Sequence, residues 1–201
     1  YLLMCDNLLD PTHVAWVHAG SFGQAATKSA PLRVKKTNDG VIVHRWMMDV
    51  EPAPFYKKVV GFNGNCDRLQ HYEVRYPSNA LIKAIFTPAG TGGSEGKLHD
   101  DVFIMDSYNF MTPVTESKTR YYWFQLRNIR PDDSALSQLM TDDVQQAFEE
   151  DRNVLNEVQK GMTNKTSPHI DLPIDAGQLR FRRQLQAMIN EEEQVDKQMA
   201  Q

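Results

Sequence analysis

The sequence has few cysteines, a small excess of negative charge and no long apolar segment. Its two cysteines, Cys5 and Cys66, provide no disulfide framework, so a reducing cytoplasm is the natural setting. No apolar run approaches the roughly 18 residues of a membrane span, which argues against an integral membrane protein. The formal net charge of −4 comes without a basic patch, which argues against a nucleic-acid surface. What remains is an ordinary globular composition, 41% apolar and 24% charged, that can bury a sizeable core.

Strand patterns occupy the middle of the 201 residues, and helical patterns lie towards both ends. The first residues, 1–3, resemble the end of an apolar strand and lack an initiating Met, so we expect a piece of a longer protein. Helices are expected at 6–18, 132–140, 142–162 and 176–198. Strands are expected within 32–50 and at 67–76, 80–87, 102–111 and 119–127, with a loop at 55–63. These elements predict a single α+β domain, an antiparallel sheet with long helices packed on one face.

The predicted helix 6–18 carries the most informative polar residues. Asn7, Asp10 and His13 follow one another at intervals of three, which would place them on one stripe of a helix. His18 lies five residues beyond His13, about 140° further round an ideal helix. Both histidines can bind one metal only if the helix is distorted or ends between them. Asp10 is positioned to orient the His13 ring through its second nitrogen.

A pair of histidines needs a third, anionic ligand to hold a divalent ion. The candidates are the acidic residues of the predicted helix 142–162, namely Asp142, Asp143, Glu149, Glu150 and Asp151. Periodicity does not choose among them. In isolation each is better explained as part of a solvated face that the helix dipole favours.

Several short blocks follow the histidine segment along the chain, at 66–68, 87–92, 109–116, 122–124 and 148–151. Together with residues 6–18 they resemble, in the same order, the blocks of Rieske non-haem iron oxygenases in the group of vanillate O-demethylase, dicamba monooxygenase and toluenesulfonate monooxygenase. The similarity spans essentially the whole chain. The ordered set of motifs is far more specific than the histidine pair alone.

The resemblance implies a fold and a set of roles. The chain would be a helix-grip, START-like catalytic domain over 1–201, the C-terminal part of a longer oxygenase subunit. His13, His18 and Asp151 would bind Fe(II), with open positions for O2 and substrate. Asp10 would be the carboxylate that couples this iron to a neighbouring subunit's cluster, and Asn7 would lie near the iron without binding it.

The same resemblance implies an activity and its partners. The domain would hydroxylate or O-demethylate an aromatic substrate with O2. Electrons would come from NAD(P)H through a reductase or ferredoxin to a Rieske [2Fe–2S] cluster, within a homotrimer. The C-x-H and C-x-x-H pairs that hold such a cluster are absent from this chain, so the cluster is expected in the missing part.

A mostly apolar substrate pocket is expected beside the iron. Asn109 falls where relatives place a polar residue that contacts substrate. The other residues expected to line the pocket are Ile85, Phe103, Ile104 and Trp123.

Two other functions fit parts of the sequence. A helix-over-sheet module that binds an apolar small molecule would need no metal ligands, so it has no use for the combined set of Asp10, His13, His18 and Asp151. A zinc hydrolase could use the same ligands, but its histidines are commonly spaced on a regular helix beside a catalytic Glu. Here no Glu adjoins either histidine.

Overall fold

The computed structural model describes residues 1–164 and 170–199. Six antiparallel strands form one sheet in the order in which they occur in the chain. They are β1 Arg33–Lys36, β2 Gly40–Val50, β3 Cys66–Arg75, β4 Asn79–Pro88, β5 Phe103–Thr115 and β6 Lys118–Arg127. The α-helices are α1 Leu2–Asn7, α2 Pro54–Val59, α3 Ser134–Thr163 and α4 Ala176–Met199. The predicted α+β class with an antiparallel sheet is confirmed.

The N-terminal segment departs from both predictions made for it. Residues 2–7 form the short helix α1, where the end of a strand was expected. The predicted helix 6–18 was wrong, because α1 ends at Asn7 and His13–Ala15 form a separate 3₁₀ turn. Pro11 explains the interruption: it lacks an N–H donor and disfavours the helical conformation at the residue before it.

Two further predictions are corrected. The expected loop at 55–63 contains α2, which starts with Pro54 at its first position and buries Phe55, Tyr56 and Val59. The two helices expected at 132–140 and 142–162 are one continuous helix, α3. Its N-cap is Asp133, whose side chain accepts a hydrogen bond from the Leu136 amide at 2.9 Å. The expected helix 176–198 is confirmed as α4.

Both long helices pack on the same face of the sheet, here called the inner face. At one end of this face lies the α2 cluster, a buried group that includes Phe55, Tyr56, Phe86, Phe103, Leu136 and Met140. At the other end lies the α4 cluster, which includes Leu9, Val41, Val43, Val74, Phe181 and Leu185. Between the two clusters the same face carries the inner polar band, defined as the buried residues Arg45, Arg68, Gln70, Ser107 and Asn109.

Among the described residues no helix is both long enough and apolar enough to cross a bilayer. Cys5 and Cys66 are both buried and unpaired. Burial raises the pKa of the Cys5 thiol to about 12 and that of Cys66 to about 11, so both thiols stay protonated at neutral pH.

Candidate metal centre

Three side chains converge above the inner polar band. His13 and His18 come from the loop after α1, and Asp151 comes from the middle of α3. The two Nε2 atoms are 3.3 Å apart, and Asp151 Oδ1 lies 3.5 Å from His13 Nε2 and 3.1 Å from His18 Nε2. In the described part of the chain, this trio is the one group of at least three His, Cys, Asp or Glu side chains whose donor atoms converge in this way.

His13 is held by backbone rather than by a carboxylate. Its Nδ1 donates to the backbone carbonyl oxygen of Asp10 at 2.5 Å, which leaves Nε2 as the donor atom towards a metal. The Asp10 carboxylate instead accepts a hydrogen bond from the Thr12 amide at 2.7 Å. The prediction that the Asp10 carboxylate orients His13 was therefore wrong. The backbone carbonyl of Asp10 orients the ring instead.

The loop that carries His13 is fixed to the sheet by a buried guanidinium. Arg45 of β2 donates through Nη2 to the Pro11 carbonyl at 2.9 Å and through Nη1 to the Ala30 carbonyl at 3.2 Å. Its Nε donates to Gln70 Oε1 at 2.7 Å. Burial lowers the pKa of Arg45 to about 10, which still leaves it charged at neutral pH. The sheet thereby sets the position of the first histidine.

His18 is oriented by a side chain that the sequence did not single out for this role. Its Nδ1 donates to Glu150 Oε2 at 2.7 Å, a carboxylate–histidine pair of the kind that supports metal ligands. The sequence offers Glu150 only as a candidate ligand. Its position next to Asp151 on α3 was the available signal, because a helix directs consecutive side chains to different sides of the same site.

The pKa values of the two histidines move in opposite directions. Burial lowers the pKa of His13, against the opposing charge of Asp151. Burial also acts to lower the pKa of His18, but the carboxylates of Asp151 and Glu150 outweigh it and the net shift is upward. The two carboxylates therefore favour the protonated form of His18.

The three donor atoms fit a divalent transition-metal ion. Three ligands at right angles, each about 2.1 Å from one ion, would lie about 3.0 Å apart, close to the observed separations. Asp151 Oδ1 is buried, and its near neighbours are the Nε2 atoms of His13 and His18, so its negative charge is available to a cation held among the three side chains. Two imidazoles and one carboxylate on one side of an ion form the facial arrangement used by non-haem iron oxygenases. This donor set leaves the opposite side open.

Two cavities adjoin the trio. A small one, of about 80 Å³, lies between α3 and the inner face of the sheet, and all three residues line it. A larger one, of about 650 Å³, lies among α1, the β5–β6 hairpin and α3. Leu8, Phe148 and Asp151 line both cavities, so Phe148 is part of the wall between them.

Three of the residues expected to line the pocket lie elsewhere in the structure. Ile85 and Ile104 are direct partners in the β4–β5 register, between the inward-facing Ala84, Phe86, Phe103 and Met105. Because strand residues alternate between faces, both isoleucines point to the outer face, and their predicted contact with substrate was wrong. Phe103 is fully buried in the α2 cluster and lines neither cavity.

The remaining expected site residues have different surroundings. Trp123 and Asn7 line the larger cavity. Asn109 is fully buried, donates to the Ser107 carbonyl at 3.0 Å and accepts from the Tyr121 hydroxyl at 2.7 Å. It lines neither cavity, so the structure gives it the role of holding Tyr121 rather than direct access to a ligand.

Comparisons with known proteins find a matching family model and related proteins. Residues 1–191 match the family model of the vanillate O-demethylase oxygenase C-terminal domain. A putative toluene-4-sulfonate monooxygenase system iron–sulfur subunit of Comamonas testosteroni is 32% identical over 181 residues, covering 88% of this chain and 52% of the relative. A vanillate O-demethylase oxygenase subunit of a Pseudomonas species is 31% identical over 205 residues, covering 99% of this chain and 62% of the relative. The chain thus spans between half and two thirds of these relatives.

Solved structures show the same fold. Dicamba monooxygenase bound to 3,6-dichlorosalicylic acid superposes with a TM-score of 0.84 at 21% identity, over 96% of this chain and 56% of that one. Dicamba monooxygenase with non-haem iron and dicamba superposes with a TM-score of 0.63 at 19% identity, over 97% of this chain and 55% of that one.

Proposed function

The chain belongs to the vanillate O-demethylase oxygenase C-terminal domain family, and from that premise we propose that it is the catalytic domain of a terminal oxygenase acting on an aromatic substrate. The observation that carries the proposal is the convergence of His13, His18 and Asp151 from distant parts of the chain, with their donor atoms within 3.5 Å of one another. A module that only binds an apolar molecule has no need of this arrangement.

Each residue of the centre has a role in this proposal. His13, His18 and Asp151 hold iron as Fe(II), which supplies the capacity to activate O2 when it is bound. The Asp10 carbonyl and the Glu150 carboxylate fix the two imidazole rings, so the donor atoms are oriented before metal arrives. Met105, Val144 and Ala147 give the small cavity apolar walls that exclude water and suit an aromatic ring.

The reaction is hydroxylation of a substrate C–H bond. On a methoxy group attached to a ring, the product is a hemiacetal that loses formaldehyde, so the net reaction is O-demethylation. The names of the relatives, a vanillate O-demethylase and a toluene-4-sulfonate monooxygenase, support both forms of the reaction. The small cavity is below the roughly 300 Å³ of common ligand pockets, so we place substrate entry from the larger cavity, past Phe148.

Electron supply completes the proposal. We propose that the full subunit carries a Rieske [2Fe–2S] cluster outside this chain and receives electrons from NAD(P)H through a reductase, in a cytoplasmic homotrimer. The name "iron–sulfur subunit" of one relative supports the cluster. Asp10 is partly exposed and its backbone carbonyl is bonded to His13, which suits a route from a neighbouring subunit to the centre.

Metal analysis tests the proposal directly. The chain is reconstituted with Fe(II) under nitrogen beside His13→Ala, Asp151→Ala and the control Glu149→Ala, which removes an exposed carboxylate two residues from Asp151. We expect about one iron per chain in the wild type and the control, and loss of iron in the other two variants. If the wild-type chain binds no iron, the proposal that it is an oxygenase domain is wrong, and a module that binds an apolar small molecule becomes the better explanation.

A further inference from the structure

Phe148 of α3 lies at the boundary between the two cavities beside the metal centre. It lines both of them, and it precedes Asp151 by three residues on the same helix. Side chains three residues apart lie on one face of a helix, so Phe148 and the Asp151 carboxylate point to the same side of α3. Leu8 and Asp151 also line both cavities, and Phe148 has the largest side chain of the three.

Two aromatic rings of β6 hold Phe148 in this position. The ring centre of Phe148 lies 5.2 Å from that of Tyr121 and 5.2 Å from that of Trp123, at interplanar angles of 60° and 72°. Tilted and edge-to-face arrangements at such distances are favourable for aromatic pairs. The Tyr121 hydroxyl in turn donates to Oδ1 of Asn109, which is fully buried in the inner polar band. The sheet therefore positions the Phe148 ring through Tyr121 and Trp123.

The cavities on the two sides of Phe148 differ greatly in size. The one that it shares with His13 and His18 has a volume of about 80 Å³, and the one on its other side has a volume of about 650 Å³. The larger volume lies within the range of roughly 300–1,000 Å³ that is typical of ligand pockets, whereas the smaller does not. Met4 and Leu155 are among the residues that line the larger cavity, so it can accept apolar surface.

We propose that Phe148 is a specificity-determining residue that limits the size of the substrate at the metal centre. While its ring stands between the cavities, a ligand beside His13, His18 and Asp151 has no room for an additional fused ring. Removal of the Phe148 ring would join the two volumes and extend the site towards Leu155. Hydrophobic pockets distinguish ligands that differ by one methylene group by roughly 10- to 200-fold. This inference rests on the proposed function, because it concerns which substrates reach the same centre.

The binding of two neutral ligands of different size tests this role. The whole chain, loaded with Fe(II) under nitrogen, is titrated calorimetrically with 4-methoxybenzyl alcohol and with 6-methoxy-2-naphthalenemethanol, which adds one fused ring. We expect the wild type to bind the smaller ligand more tightly. Phe148→Ala should shift the ratio of the two affinities towards the larger ligand by about tenfold or more, and Phe148→Leu should shift it less.

A second substitution tests where the added ring lies. Leu155 lines the larger cavity but not the smaller one. In the Phe148→Ala chain, Leu155→Trp would fill the volume that the added ring enters, so the gain in affinity for the larger ligand should be lost. Phe124→Ala is the matched control, because Phe124 has the same side chain on the outer face of the sheet and lines neither cavity. It should keep the wild-type ratio of affinities.

Three results would overturn the proposal. The first is a wild type that already prefers the larger ligand, a comparison that needs no variant. The second is an affinity ratio in Phe148→Ala equal to that of the wild type, or an iron-loaded Phe148→Ala chain that binds neither ligand. The third is a gain in affinity that Leu155→Trp leaves unchanged, because the added ring would then lie elsewhere.

Two further measurements keep these results interpretable. If Phe148→Ala does not fold, Phe148→Leu is judged by the same ratio. Iron content measured on the same samples separates this proposal from the proposed function. A wild-type chain that holds no iron contradicts the oxygenase, whereas an iron-loaded chain whose affinity ratio does not respond to Phe148→Ala contradicts only the role of Phe148.

Discussion

The inner polar band and the two apolar clusters share one face of one sheet, yet they are held in different ways. The α2 and α4 clusters are made mainly of closely packed apolar side chains, such as Phe86 and Phe103, whose ring centres are 6.2 Å apart. The band between them buries polar atoms that lack partners, among them Arg68 Nε and Gln70 Nε2. Because unsatisfied buried groups destabilise a fold, we expect the two clusters to contribute more to stability than the band does.

The largest expected effect lies in a cluster. Phe181→Ala should lower the free energy of unfolding by about 3–5 kcal/mol, because it empties a fully buried site that also packs against Tyr76. Urea unfolding of the metal-free chain measures it. The control is Phe124→Ala, which truncates a ring that is 48% exposed on the outer face. A loss as small as that of the control would mean that the α4 cluster does not carry the stability assigned to it.

The next largest expected effect is the stabilisation of the folded chain by Fe(II) bound at the candidate metal centre. Fe(II) at a hundredfold excess over its dissociation constant should stabilise the chain by about 2.7 kcal/mol, because it binds the folded state and not the unfolded one. Thermal unfolding under nitrogen, with and without iron, measures the shift. Asp151→Ala should abolish it, and an equal shift in that variant would place the binding site elsewhere.

A smaller expected effect distinguishes residues that strengthen iron binding from residues that stabilise the fold. Glu150→Gln should weaken iron binding about 10- to 100-fold, because the His18 Nδ1 proton loses its anionic acceptor. The unfolding free energy of the metal-free chain should change by less than about 0.5 kcal/mol. Glu149→Gln, on the adjacent residue that pairs with Arg152, serves as the control and should leave iron affinity unchanged. Equal iron affinities in the two variants would contradict a supporting role for Glu150.

The smallest effect concerns a surface contact between α4 and α1. Arg182 forms an ion pair with Asp6, with side chains 37% and 20% exposed. Arg182→Gln should cost no more than about 1 kcal/mol, since partly exposed pairs contribute little. Raising the salt concentration should reduce the difference between the variant and the wild type. A loss of unfolding free energy as large as that of Phe181→Ala would contradict the expectation that the apolar clusters stabilise the fold more than this polar contact does.

The sequence predicted the strands and the long helix α4 well, because their periodic patterns reflect burial on one face. It brought His13, His18 and Asp151 together as candidate metal ligands through a resemblance rather than through geometry, since the assumed helix 6–18 ends before His13. Ile85 and Ile104 were misplaced because choosing the face of a strand requires its register. The sequence offered Glu150 as a candidate ligand but did not predict its hydrogen bond to His18, because the two residues lie far apart in the chain.

The separation between His18 and Glu150, 132 residues along the chain, also sets the order in which the centre can form during synthesis. A nascent chain that has exposed both histidines still lacks its carboxylates until most of α3 has emerged. Iron captured earlier would meet only two imidazoles on a short loop, a weak and unselective pair. His13, His18 and Asp151 are therefore present together only after all six strands have been synthesised.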